Sequence, residues 1–167
     1  MTTLYKKGIA MKRGPTFFLK GVVVAVGLIV LAVCVFALPP MIKSELTTSD
    51  FDYGPLLLGL YAPAMPFFFA LYQAFMLLGY IDKDLAFSKS SVKALKNIKY
   101  CALTISALFA AGTPYLFYLA DKDDAPGVVA IGLVIIGASF VIATAAALFQ
   151  SLLQNAIDIK SENDLTV

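Results

Sequence analysis

The densest set of potential metal ligands in this chain is Asp121-Lys122-Asp123-Asp124, with Asp50 and Asp52 available from an earlier segment. Hard cations are held by several carboxylate and carbonyl oxygens, which an EF-hand spreads along an extended loop with a glycine at its sharp turn. The cluster here has neither that length nor that spacing, so it reads as a solvated loop and no metal site is expected. Histidine is absent, which removes the commonest general base and the commonest transition-metal ligand together. Cys34 and Cys101 do not form a CxxC pair. With no acid, base, nucleophile or metal constellation, the expectation is a protein that is not an enzyme and uses no cofactor.

The elements that would have to position any chemistry explain this poverty. Gly21 to Ile42, Tyr53 to Ile81, Tyr100 to Ala120 and Ala125 to Ile157 carry no charged residue. Each exceeds the roughly 20 apolar residues that a helix needs to cross a hydrocarbon core of about 30 Å. With 60% of 167 residues hydrophobic and 14% charged, the chain falls outside the range of ordinary soluble domains. The expected fold is all-α, a polytopic membrane protein built as a four-transmembrane-helix bundle. Its spans fall at about 17–38, 54–80, 98–119 and 128–153, within a membrane domain of 17–160. A basic segment (1–16) precedes that domain and a short tail (161–167) follows it.

Orientation follows from lysine and arginine, whose translocation is disfavoured, whereas acidic residues count for little. The N-terminal segment carries Lys6, Lys7, Lys12, Arg13 and Lys20 with no acid, and the second connection carries Lys83, Lys89, Lys93, Lys96 and Lys99. The first connection has Lys43 alone beside Glu45, Asp50 and Asp52, and the third has Lys122 alone. Both termini are therefore expected in the cytoplasm. This segregation explains the basic residues by topology, so direct nucleic-acid binding is not expected. Val35-Phe36-Ala37 offers the spacing of a signal-peptide cleavage site, but the apolar run before it is longer than a signal core and Pro39-Pro40 follows, which favours an uncleaved span. Met11 reads as an alternative start, leaving residues 1–10 as an extension.

The spans differ in character. The first is aliphatic and ends at Pro39-Pro40, with Gly21 and Ala25 as a small-xxx-small pair on one face. The second has Pro63 and Pro66 inside it, where each removes a backbone donor and crowds the preceding turn, so a kink or local unwinding is expected. Aromatic residues surround this helix, and Gln73 is its amide at depth, suited to an interhelical hydrogen bond. The third carries Thr104, Ser106, Gly112, Thr113 and Pro114, inserts weakly alone and needs neighbours. Pro114 frees the Ala110 carbonyl at a depth similar to the break in the second span, so those two segments are expected to pack together; the aromatics of the second span read as an aromatic belt in preference to the lining of a ligand cavity. The fourth shows Ser139, Ala143 and Ala147 at intervals of four, with Gly132 and Gly137 placed on other faces, a surface for a neighbouring helix or a second copy.

Two segments lie outside the membrane. Ser88 is placed to cap a helix starting near Lys89, with Lys89, Lys93 and Lys96 on one face and Val92, Leu95 and Ile98 on another. That reads as a headgroup-anchored elbow. At the other end Leu152, Leu153, Ala156 and Ile157 continue an apolar stripe that carries the fourth helix past the membrane. Lys160, Glu162, Asn163, Asp164 and Leu165 would then be displayed for partner docking.

The block AFSKSSVKALKNIKYCA after the aromatic second span, together with LLQNAIDIKSENDLTV, resembles a family of small bacterial four-helix membrane proteins catalogued as domain of unknown function 2975. The resemblance runs from Phe17 to Val167, and its most specific part is Lys160 with Glu162-Asn163-Asp164-Leu165-Thr166-Val167. It implies an inner-membrane protein encoded beside a small helix-turn-helix regulator of the Cro type, and hence a regulatory partner. It carries no catalytic residues. The expected function is accordingly a non-enzymatic membrane protein, in contact with lipid and able to form homo-oligomers, that regulates or anchors a cytoplasmic helix-turn-helix regulator. The alternative is a transporter or channel subunit for a small molecule, against which stands the absence of ionisable groups inside the spans.

Overall fold

The computed structural model describes the backbone of residues 2–37, 39–40, 43, 54–83, 85–122 and 124–165, and the side chains of these except 2–14, 37, 56, 164 and 165. Among the described residues helices are joined by short turns and there is no strand. Helix α1 spans Thr2–Ala32 and passes into a π-turn at Val33–Ala37; α2 spans Gly54–Asp82, α3 Lys89–Lys122 and α4 Gly127–Leu165. Four helices are long and apolar enough to cross a membrane. At 1.5 Å per residue, the 34 residues of α3 and 39 of α4 give lengths of about 51 and 58 Å, well beyond a core of about 30 Å. Both therefore project from the membrane. The α3–α4 turn holds Asp121 and Asp124, and we call that the acidic end; the opposite end carries Lys20, Asp82 and the start of α3, and we call it the lysine-rich end.

The helices run antiparallel and pack in sequence order: α1 on α2, α2 on α3, α3 on α4. The third helix, the weakest inserter by composition, lies between two neighbours. Its hydroxyls are satisfied as a membrane interior demands. Thr104 and Thr113 donate to the carbonyls of Tyr100 and Phe109, one turn back, at 2.9 and 3.0 Å, and Ser106 donates across to the Ile136 carbonyl of α4 at 3.3 Å. The buried side chains along the α3–α4 seam are mostly small, among them Ala94, Cys101, Ala102 and Ser106 facing Ser139, Ala143 and Ala146. Small residues let two backbones approach in lipid, where apolar burial alone drives nothing.

Gly132 is buried in that seam, and a Cβ built on it would lie 2.7 Å from Leu116 Cδ1. This corrects its placement on another face. Residues seven apart on an α-helix are offset by only about 20°, so Gly132, Ser139 and Ala146 share one line while Ala147 is half-buried beside it. Gly137 has open space around it.

Helix α1 touches the rest along a line one side chain wide. Lys20, Val23, Gly27, Val30 and Cys34 are half-buried and their neighbours between 17 and 36 are exposed. This spacing of three and four is the heptad seam of two helices crossing at a shallow angle. Lys20 pairs with Asp82, Gly27 faces Leu71 with a virtual Cβ 3.6 Å from its Cδ1, and the Cys34 carbonyl accepts from the Tyr61 hydroxyl at 3.2 Å. The close-approach face expected at Gly21 and Ala25 is turned away, since Gly21 has nothing within 4 Å.

Candidate functional site

The lysine-rich end is assembled by two turns of local chemistry. Helix α2 stops at Asp82, where the Leu85 amide reaches back to the Tyr80 carbonyl at 2.9 Å, the six-to-one bond of a Schellman ending. Ser88 then caps α3 as expected: its Oγ accepts from the Ser91 amide at 3.3 Å, and its carbonyl accepts from the amides of Ser91 and Val92 at 3.1 and 3.2 Å. Ser91 is the part that the sequence did not reveal. It is 0% exposed, its hydroxyl stands 3.2 Å from that of Ser88, and it donates to the Leu85 carbonyl at 3.1 Å. That bond ties the loop to the first turn of α3. Lys89, Lys93 and Lys96 stay exposed, whereas Ala94 and Leu95 are buried and Val92 and Ile98 half-buried, so the two faces of this segment separate as the spacing predicts.

Beside this elbow stands the Lys20–Asp82 ion pair, with side chains 23% and 27% exposed and the Lys20 ammonium also 5.7 Å from the Phe75 ring centroid. The pair joins α1 to α2 and sets a cation beside the acid of α2. Lys99 lies over Tyr100, 4.9 Å from its ring centroid.

The extension of α4 continues as one helix to Leu165. Lys160, Glu162 and Asn163 are exposed on it, and the side chains of Asp164 and Leu165 fall outside the description, as do Thr166 and Val167. Of the stripe assigned here, Leu153, Ala156 and Ile157 are half-buried, but Leu152 is 62% exposed and belongs to the outer face. Gln154 Nε2 donates to Asp158 at 3.0 Å, one turn on. Gln150, not singled out by the sequence, has its Oε1 buried without a hydrogen-bond partner among the described residues.

Toward the acidic end α2 and α3 enclose a cleft of about 170 Å³, lined by Gly59, Leu60, Leu108, Phe109, Gly112 and Tyr115 with Pro55 and Leu116. The proline-bearing stretches of α2 and α3 thus lie side by side. Pro63 lacks the donor for the carbonyl of Gly59, which lines the cleft, and Pro114 lacks the donor for that of Ala110, next to the lining residue Phe109. Pro63 is buried, Pro66 half-buried and Pro114 exposed. Both helices run unbroken through their prolines, and the ring of Pro63 is buried against neighbouring protein. The lining holds no ionisable acid or amine, so the cleft suits an apolar group and not proton or ion chemistry. Within the spans Tyr61 and Ser106 make interhelical hydrogen bonds.

Among the described residues no three Asp, Glu, Cys or His side chains converge; Asp50, Asp52 and Asp123 lie outside them. Asp124 has another role. Its φ is +50° and the Ala125 amide bonds the Ala120 carbonyl at 3.0 Å, which makes Asp124 the left-handed residue of a second Schellman ending. The two thiols are free, Cys34 in the π-turn and Cys101 buried on α3.

Comparison with known proteins agrees with this architecture. Residues 39–167 match the family described as protein of unknown function (DUF2975). The chain is 56% identical over 160 residues to the uncharacterized membrane protein YoaS of Bacillus subtilis (strain 168), covering 94% of this chain and the whole of the relative. No solved structure matches. The four apolar helices, the family match and a relative described as a membrane protein lead to one conclusion: the chain is a membrane protein that belongs to the DUF2975 family.

Proposed function

We propose that this protein is a non-enzymatic membrane component of the bacterial inner membrane that holds or controls a cytoplasmic partner through the projecting end of α4. The observation that carries this reading is the unbroken helix to Leu165. A segment that frays displays its side chains at no fixed place, whereas a helix of this length keeps Lys160, Glu162 and Asn163 at a set height above the membrane. The lysine-rich end faces the cytoplasm in this reading, because the lysines of α3 and Lys20 share that end. The preferred partner is a small helix-turn-helix regulator, a choice that rests on the family resemblance. The test is co-purification of the regulator encoded beside the gene with the full chain and with a chain lacking Glu162 to Val167. Recovery with the full chain and loss with the truncated, still inserted chain is expected. Equal recovery with both, or recovery with neither, rejects docking by this segment.

The α2–α3 cleft favours a second reading, a transporter or channel subunit for a small molecule. Its volume of about 170 Å³ is small beside the roughly 300–1,000 Å³ of most ligand pockets, and its lining has no group to couple ions. Gly112→Leu, which fills the cleft, separates the readings: a transport role requires the cleft and loses activity, whereas partner recovery through α4 is unaffected.

A further inference from the structure

The elbow between α2 and α3 combines two features that neither the ion pair nor the display of α4 uses. The first is charge. Lys89, Lys93 and Lys96 are exposed, and none of them forms an ion pair among the described residues. The carboxylate of Asp82, the nearest acid of α2 in the described loop, is held by Lys20. The second is apolar surface: Ile81, Leu85 and Phe87 are exposed, the last two by 50% and 67%, in a loop where side chains facing water are usually polar.

The loop is also held at a definite height. The bond from Ser91 Oγ to the Leu85 carbonyl keeps Leu85 level with the first turn of α3, so Leu85 and Phe87 stand close to Lys89 and Lys93. Helix α2 stays free of charge up to Ile81 at this same level, while the adjacent α3 carries lysines down to Lys99. Long ammonium stems beside apolar surface at one depth are the arrangement of an interface, where the stem lies along acyl chains and the head reaches phosphate. The buried opposite face at Ser91, Ala94 and Leu95 fixes which way the lysines point relative to the bundle.

We propose that residues 85–99 form a binding surface for anionic phospholipid of the surrounding bilayer, with Lys89, Lys93 and Lys96 on the headgroup phosphates and Leu85 and Phe87 set into the boundary of the acyl region. This goes beyond partner docking and is independent of it, since no residue of the α4 extension takes part. Charge complementarity selects the occupant. A zwitterionic leaflet would satisfy the apolar side chains equally well but would leave three ammoniums without an anionic partner, and each lysine near an anionic surface is worth roughly a fivefold preference.

The chain contains no tryptophan, so Phe87→Trp gives a single indole in the full-length protein. Reconstituted into vesicles of mixed phosphatidylglycerol and phosphatidylcholine, its fluorescence should be quenched several-fold more strongly when bromine is carried on the phosphatidylglycerol chains than on the phosphatidylcholine chains. Raising salt from 0.05 to 0.5 M, which needs no further variant, should reduce that preference, and Lys89→Gln, Lys93→Gln and Lys96→Gln together should abolish it. Equal quenching by the two lipids at low salt overturns the lipid selectivity. Emission typical of water with no quenching by either lipid overturns the surface altogether and leaves the elbow facing solvent.

Discussion

The ammonium of Lys20 and the carboxylate of Asp82, 62 positions apart in the chain, pair at the point where α1 and α2 leave the membrane. Both are about three-quarters covered, so the interaction is screened less than a surface pair, yet each remains partly wetted. Lys20→Met and Asp82→Asn, singly and together, should show a coupling of about 0.5–1 kcal/mol in a double-mutant cycle read by reversible denaturation in detergent. Additive effects with no coupling would show that the Val23, Gly27 and Val30 seam alone holds α1.

The α3–α4 seam makes opposite predictions for two glycines of one helix. At Gly132 a new Cβ meets the end of the Leu116 side chain, which can rotate aside, so Gly132→Ala should cost about 1 kcal/mol or less, whereas Gly132→Leu should cost about 1–3 kcal/mol by overpacking. Gly137 has open surroundings, and Gly137→Ala should be neutral or gain up to about 1 kcal/mol from helix propensity. Denaturation curves of the three variants check the order, which would reverse if the seam ran through Gly137.

Asp124 sits at a φ that glycine adopts without strain. Asp124→Gly should leave stability unchanged or raise it, and Asp124→Val should lower it by about 1–2 kcal/mol, because a β-branched side chain clashes in the left-handed region. Were the acidic cluster instead held for its charge, Asp124→Gly would be the more damaging of the two.

The Oε1 of half-buried Gln150 is shielded from solvent and has no hydrogen-bond partner among the described residues. Replacing it with the similarly shaped Met should stabilise the chain by about 1 kcal/mol, since the desolvated oxygen disappears and no hydrogen bond is lost. A loss of stability of that size in Gln150→Met would mean that the amide makes an interaction the isolated chain does not display.

Threading is checked by reporters. An enzyme reporter inserted within Leu46 to Asp52 should behave as extracytoplasmic and one fused after Val167 as cytoplasmic. A periplasmic signal at the C-terminal fusion would reverse the orientation proposed here.

The spans were legible because charge is so costly in a hydrocarbon core that its absence over twenty residues has few other meanings. The Ser88 cap and the lysine face of α3 were legible for a related reason: both are local patterns with contrast between neighbouring positions. The seam of α1 had no such contrast. When nearly every residue is Val, Leu, Ile or Ala, a heptad line through Lys20, Val23, Gly27, Val30 and Cys34 looks no different from any other line, and Gly21 with Ala25 offered a more familiar but wrong one. Gly132 was misplaced through spacing in fours, which drifts around a helix by about 40° per step, whereas sevens nearly return. The Lys20–Asp82 pair and the Ser91 anchor depend on the angle at which separate segments meet, which no single stretch encodes. At Pro63 a helix enclosed by protein stays helical while lacking one donor, so the residue type alone does not give the surroundings that make this tolerable.

A row in which each helix rests on the one made before it has no closing step. Every major contact joins elements adjacent in the chain, so the low contact order that speeds folding also sets an assembly order. As each new span leaves the ribosome, its docking surface is already in the membrane, and nothing waits for the last helix to meet the first. The row is also separable at its start: α1 is attached along one narrow seam outside the α2–α3–α4 unit, whereas among the described residues the main contacts of α2 and of α4 within that unit are both with α3.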